Sequence, residues 1–108
     1  MKEKIDVKLS VVIVNYNGYE DTVACVNSII KSEYKNFNII LVDNASDDKK
    51  TIYDDKFLND NCDIIYNNHN LGFSDGNNAG IKYAKQKYNS EYFLLLNNDT
   101  VINVDTLG

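Results

Sequence analysis

Apolar residues are arranged along this chain in two alternating patterns. Residues 11–14, 39–42 and 92–96 form three short, unbroken apolar runs. Such runs predict strands that are buried on both faces, as in a parallel sheet covered by helices. A weaker run at residues 62–66 predicts a shorter strand nearer the edge of the sheet.

Between the runs, apolar residues recur at helical spacing. Residues 19–32 predict a helix with an apolar face, and Glu20 and Asp21 lie in its first turn, where the helix dipole favours anions. Residues 74–88 predict a second helix that Ser74 caps. Residues 47–58 predict a short helix on a thinner apolar stripe.

The alternation of strands and helices predicts an α/β fold. Right-handed crossovers between parallel strands would build an open, doubly wound, mostly parallel sheet with helices on both faces. The length of 108 residues fits a single domain, residues 1–108. The chain stops soon after the fourth predicted strand, so we expect it to be part of a longer domain.

Composition narrows the class of protein. Apolar residues make up 44% of the chain and charged residues 25%, which is typical of a soluble globular domain. The charged start lacks the apolar stretch of a signal peptide, so we expect a cytoplasmic protein. Its net charge is −5 and its eleven basic residues are all lysine, so we expect no nucleic-acid partner. Cys25 and Cys62 are interpreted as small buried hydrophobes, and His69 is given no function.

Asparagine, aspartate and glycine follow every predicted strand. Ligands of open α/β sheets bind beyond the carboxyl ends of the strands, so these segments are where chemistry is expected. The same residue types also form ordinary turns, and each segment taken singly is compatible with that role. The four segments are residues 15–18, 43–47, 67–72 and 97–100.

The residue types of these segments suit a nucleotide diphosphate. Asp99 would bind Mg²⁺ or Mn²⁺, which neutralises the charge of a departing diphosphate. Asp43 or Asn44 would accept the ring N–H of a pyrimidine base, and Tyr16 would stack on that base or simply pack over the sheet edge. Three further residues could line the same cleft: Asn70, Gly72 and Asn77. The glycines at 76 and 80 are instead expected to serve helix packing.

Four motifs in this order resemble the amino-terminal half of glycosyltransferase family 2. They occupy residues 10–17, 42–47, 70–80 and 94–100, and the resemblance spans about residues 9–107. It implies a GT-A fold and inverting transfer of a sugar from a nucleotide diphosphate donor to an acceptor.

The resemblance also implies roles for individual residues. Tyr16, with its neighbours Asn15 and Asn17, would flank the base, and Asp43 and Asn44 would contact base or ribose. Residues 97–99 stand where the family's DxD motif holds the metal and the diphosphate. Two amides, Asn97 and Asn98, replace acids that many members carry, and Asn44 replaces the second acid of a common Asp-Asp pair. Such amide variants resemble a rhamnosyltransferase-like subgroup, which favours dTDP-rhamnose or a UDP-sugar as the donor.

The family's catalytic base lies after the metal motif, so we expect it beyond Gly108. The isolated chain is then expected to bind nucleotide weakly and to transfer no sugar. Apolar surface left uncovered predicts self-association of this chain, and the full-length protein could dock on the inner face of the cell membrane.

Two other classes of protein have features in common with this sequence. A receiver domain needs a phosphorylatable aspartate after the third strand, where this chain has Asn67 and Asn68. A non-catalytic sugar- or nucleotide-binding module remains open as an alternative to a transferase.

Overall fold

The structure, a computed structural model, describes residues 9–32, 36–47 and 49–98. In chain order, the elements within these ranges are β1 (Leu9–Asn15), α1 (Tyr19–Ile30), β2 (Phe37–Asp43), α2 (Lys49–Asp54), α3 (Lys56–Asn61), β3 (Asp63–Tyr66), α4 (Gly72–Tyr88) and β4 (Tyr92–Asn97).

The four strands form one sheet in the order β3-β2-β1-β4, and all three pairings are parallel. This confirms the predicted α/β fold with its parallel sheet, and β3 lies at an edge as expected. The expectation of burial on both faces is wrong for β4, because this strand has one neighbour in the described sheet. Tyr92 and Leu95 are exposed there.

Three helix predictions needed correction at their ends. Helix α4 begins at Gly72 rather than at Ser74, since Gly72 adopts a φ of 81° and its N–H donates to Asn70 Oδ1. The single helix predicted over residues 47–58 is two helices. Asp55 has an extended backbone between them and caps α3 by accepting the Leu58 N–H. Helix α1 ends at Ile30, two residues earlier than expected.

Alternate side chains of the strands face two separate apolar clusters. Val11, Ile13 and Leu41 pack with α1, α2 and α3 on one face of the sheet, whereas Val12 and Val42 pack with α4 on the other. Each fully buried aliphatic side chain contributes roughly 1.5–3 kcal/mol to folding. The helices therefore cover both faces of the sheet and leave the ends of the strands uncovered.

The two cysteines are buried and free, as predicted. Burial raises the pKa of the Cys62 thiol to about 12, so it packs as a neutral hydrophobe. His69 is exposed. No helix within the described ranges is long and apolar enough to cross a membrane.

Glycine allows α4 to lie directly on the sheet. A Cβ at Gly80 would be 2.5 Å from Val12 Cγ1, and one at Gly76 would be 2.9 Å from Asn44 Nδ2. This confirms that both glycines serve helix packing. The close approach brings the amino-terminal end of α4 to the edge where β1 and β2 end.

We therefore expect Gly80→Ala to destabilise the fold by about 1–3 kcal/mol, because overpacking outweighs the better helix propensity of alanine. Urea denaturation followed by circular dichroism measures this change. Asn78→Ala, at an exposed position of the same helix, is the control and should shift the unfolding free energy by less than about 0.5 kcal/mol. An equal effect of both substitutions would contradict the packing argument.

A polar cluster ties the carboxyl end of α4 to the start of β3. Asp63 Oδ2 accepts hydrogen bonds from Tyr83 at 2.7 Å and Tyr88 at 2.8 Å, and pairs with Lys87 Nζ at 2.9 Å. Partial burial opposes ionisation of Asp63, but the hydrogen bonds from Lys87 and the two tyrosines outweigh it and lower the Asp63 pKa. The charged form of Asp63 is therefore favoured in the folded state.

A lowered folded-state pKa contributes stability above the unfolded value of about 4, and this contribution is lost as pH falls through the folded value. We expect the unfolding free energy of the chain to decrease below about pH 4 more steeply than that of Asp63→Asn. Urea titrations at several pH values compare the two, and Asp60→Asn at an exposed position is the control. Parallel pH curves for the chain and Asp63→Asn would contradict the proposed linkage.

Candidate functional site

The carboxyl ends of all four strands meet along one edge of the sheet, here called the rim. In the strand register, Asn15 of β1 lies opposite Asp43 of β2, and Asp43 lies opposite Tyr66 of β3. On the other side of β1, Val14 lies opposite Asn97. The segments that follow the strands therefore start at the same edge, as the parallel topology predicts. Asp99, the predicted metal ligand, lies outside the described residues.

Asp43 is fully buried beneath the rim. Its Oδ1 accepts a hydrogen bond from Asn15 Nδ2 at 2.9 Å, and its Oδ2 accepts one from the Ser46 N–H at 3.0 Å. The Ser46 hydroxyl in turn accepts the Asn17 N–H at 2.9 Å. Asp43 thus joins the loop after β2 to the loop after β1.

Asn44 is also buried, and its side chain joins two further segments to β2. Its Nδ2 donates to the Gly72 carbonyl at 3.0 Å, and its Oδ1 accepts from Asn67 Nδ2 at 2.8 Å. Asn44 therefore fixes the start of α4 and the loop after β3 relative to β2.

Asn17 adopts a left-handed φ of 54°, and its Oδ1 accepts the Asp47 N–H at 2.8 Å. It lines a cavity of about 380 Å³ at the start of α1, together with Tyr19 and Thr51. Asn17 was predicted to bind the nucleotide, but this cavity is separate from the one that most of the other predicted residues line.

A cleft of about 270 Å³ opens on the rim between β1, β4 and the start of α4. Tyr16 and Phe73, at its sides, are about half exposed, 51% and 49%. Among residues 9–32, 36–47 and 49–98, the side chains that line the cleft are uncharged. They are Val14, Tyr16, Asn44, Asn70, Phe73, Asn97 and Asn98, and Gly72 lines it as well.

Six of the ten predicted nucleotide-binding residues line this cleft. Asn15 and Asp43 are buried beneath it, and Asn17 lines the neighbouring cavity. Asn77 is buried on α4, and its Oδ1 has no hydrogen-bond partner among the described residues. Val14 and Phe73 were not predicted as site residues. For Phe73, a large aromatic directly after a predicted turn glycine was the signal that could have indicated it.

At the β3 end of the rim, Tyr66 closes the row of strand ends. Burial and the negative charge of Asp43 raise the Tyr66 pKa, so its phenol stays neutral at physiological pH. No group of three or more histidine, cysteine, aspartate or glutamate side chains suited to a metal ion occurs within residues 9–32, 36–47 and 49–98.

Known proteins are similar in sequence to most of this chain. Two curated relatives are the glycosyltransferase GlyG of Streptococcus pneumoniae, 31% identical over 87% of this chain, and the low-salt glycan biosynthesis hexosyltransferase Agl10 of Haloferax volcanii, 33% identical over 92%. A third, WfaP of Escherichia coli, is 31% identical over 74% and is a UDP-Glc:α-D-GlcNAc-diphosphoundecaprenol β-1,3-glucosyltransferase. This chain spans 30–32% of the length of these relatives.

Solved structures show the same fold. Residues 1–349 of S. aureus TarS in complex with UDP superpose with a TM-score of 0.76 at 27% identity, covering 93% of this chain and 30% of that one. The complex of the same TarS fragment with UDP-GlcNAc gives the same TM-score and identity, with 93% of this chain and 29% of that one covered. The sequence resemblance and the predicted fold class are thereby confirmed.

The model of the family "Glycosyl transferase family 2" matches residues 10–108, which include nearly all of β1, the other three strands and every residue of the cleft. This chain therefore belongs to glycosyltransferase family 2.

Proposed function

We propose that this chain is the donor-binding part of an inverting glycosyltransferase that transfers a sugar from a UDP- or dTDP-sugar to an acceptor. The observation that carries the proposal is the convergence of Tyr16, Asn70, Asn97 and Asn98 around one cleft on the rim of a family 2 fold. The complexes of TarS with UDP and UDP-GlcNAc support a nucleotide-sugar ligand for this rim, and the UDP-Glc donor of WfaP supports uridine. A dTDP-rhamnose donor stays a prediction.

The half-exposed ring of Tyr16 is suited to contact the base. One face of an exposed tyrosine can stack on a pyrimidine, and the neighbouring amides can exchange hydrogen bonds with base or ribose. Asp43 is fully buried under the loop that carries Tyr16, so in our proposal it orients that loop from beneath rather than contacting the base directly.

The charge of the cleft favours a metal cofactor. A diphosphate brings negative charge, whereas the described residues that line the cleft are neutral and the chain has a net charge of −5. Mg²⁺ and Mn²⁺ take oxygen ligands, and Mg²⁺ is commonly held by one or two carboxylates together with phosphate oxygens and water. In our proposal Asp99, two positions after the end of β4, would supply that carboxylate, and a metal held there would stabilise charge on the leaving diphosphate.

No residue of this chain is assigned as the catalytic base or as part of the acceptor site. The diphosphoundecaprenol acceptor of WfaP, a lipid-linked sugar, supports the idea that the full-length protein works at a membrane. Exposed Tyr92 and Leu95 on β4 support the expected self-association of this chain.

Replacing the proposed stacking ring tests the base site. We expect Tyr16→Ala to weaken UDP binding in the presence of Mn²⁺ by roughly 5- to 100-fold, because stacking of a base on an aromatic side chain contributes about 1–3 kcal/mol. Tyr16→Phe should retain most of the affinity, since it keeps the ring.

Amide chemical shifts followed during a UDP titration give the affinity, and a parallel dTDP titration shows the base preference. Tyr92→Ala is the matched control, because this equally exposed tyrosine begins β4 at the opposite edge of the sheet. If Tyr16→Ala and Tyr92→Ala bind UDP equally well, the stacking role of Tyr16 is wrong.

Replacing Asp99 tests the metal site. We expect Asp99→Ala to abolish the gain in UDP affinity that Mn²⁺ provides, because the diphosphate would then bind without a fixed cation. The measurement is a UDP titration with and without Mn²⁺. Asp54→Ala, at an exposed position of α2, should keep the full gain. Metal-dependent binding that survives in Asp99→Ala would show that another residue holds the cation.

A further inference from the structure

The side-chain amide of Asn98 connects the end of β4 to the turn between β1 and α1. Its Nδ2 lies 3.2 Å from Asn15 Oδ1, 3.3 Å from the Gly18 carbonyl oxygen and 3.2 Å from Thr22 Oγ1. We call these four residues the Asn98 bridge. It spans 76–83 positions of the chain and crosses from the predicted diphosphate side of the cleft to the loop that carries Tyr16.

The surroundings of Asn98 require a hydrogen-bond donor. The Gly18 carbonyl can only accept, and the Gly18 N–H donates to Asn15 Oδ1 at 3.2 Å. Asn15 Nδ2 donates to Asp43 on its other side, so the Asn15 side chain cannot turn around. Thr22 Oγ1 donates to the same Asn15 oxygen at 2.8 Å and therefore presents its lone pairs to Asn98.

Gly18 has no side chain because the Asn98 amide occupies that space. A Cβ at Gly18 would be 2.3 Å from Asn98 Nδ2, but 3.5 Å from Asn15 Oδ1. The φ of Gly18 is −130°, which any residue adopts, so the constraint comes from Asn98 and not from the backbone conformation.

We propose that Asn98 is a positioning residue of the donor site, and that position 98 accepts a donor but not a carboxylate. The Asn98 bridge sets the end of β4, which leads directly into Asp99, against the turn that carries Tyr16. An aspartate at 98 would face the Gly18 carbonyl, Asn15 Oδ1 and the lone pairs of Thr22, so it would repel the turn. This explains the amide at position 98 of this chain, and it rests on the proposed function of the same rim.

The first experiment compares two aspartate variants of the 108-residue chain. UDP is titrated in the presence of Mn²⁺, with amide chemical shifts as the readout. We expect Asn98→Asp to bind UDP about 10-fold more weakly, because the Gly18 carbonyl loses the Asn98 donor and a carboxylate then faces that carbonyl and Asn15 Oδ1, even though the variant gains a potential metal ligand. Asn97→Asp adds the same charge one position earlier, on an exposed side chain, and should lose less. Binding by Asn98→Asp that equals or exceeds that of the unchanged chain would overturn the proposal.

The second experiment is a double-mutant cycle. We expect Gly18→Ala to displace the Asn98 amide and to weaken UDP binding about as much as Asn98→Ala does, roughly 3- to 10-fold. The double variant should bind UDP no more weakly than the single variant with the lower UDP affinity, because the methyl group added at position 18 no longer meets an amide. Losses that multiply would overturn the bridge. This cycle also decides the proposal if Asn98→Asp does not fold.

Hydrogen exchange of the Gly18 amide separates failure of the bridge from failure of the proposed function. We expect this amide to exchange faster in Asn98→Ala. The increase should be larger than the loss of unfolding free energy, measured in urea, would produce. If the unchanged chain shows no UDP-dependent shifts with Mn²⁺, the donor-site function is wrong, and faster Gly18 exchange would still support the bridge. Unchanged exchange in Asn98→Ala would overturn the bridge in either case.

Discussion

A buried carboxylate determines how the rim is built. Asp43 has no exposed surface, and burying such a polar group is costly unless hydrogen bonds replace those to water. Asn15 Nδ2 and the Ser46 N–H both donate to it. The Asn15 amide is thereby oriented with its oxygen toward the β1–α1 turn, where it accepts from Gly18, Thr22 and Asn98. One acceptor under the rim thus fixes the direction of hydrogen bonds from β2 across β1 to β4.

Asparagine suits the rim because its side chain both donates and accepts hydrogen bonds without carrying charge. Asn44 uses both capacities, toward Gly72 and Asn67, and so joins β2, α4 and the loop after β3. A rim made of amides can be rigid and close-packed without accumulating negative charge. The described side chains that line the cleft are accordingly neutral.

The elements of the fold were predictable because each depends on a local pattern. Unbroken apolar runs identified three strands, a weaker run identified β3, and helical spacing identified α1 and α4. The predicted helix boundaries were wrong where a residue could take part in either of two local structures. Ser74 could have capped a helix, but the hydrogen bond from the Gly72 N–H to Asn70 starts the helix earlier. Asp55 could have continued a helix, but its side chain caps the next one instead. A buried β4 was wrong because strand order decides how many neighbours a strand has.

The sequence by itself determined the fold class, the family and the segments in which the site lies, because hydrophobic periodicity and strand-end motifs are local properties. Only the tertiary structure decided which polar side chains of those segments face the cleft. Asp43 is buried beneath the cleft, Asn44 lines it, Asn17 lines a neighbouring cavity, and Tyr16 stays exposed. Turn residues look alike in a sequence. Their partners lie as many as 83 positions away, so their roles are set by which chain segments the sheet brings together.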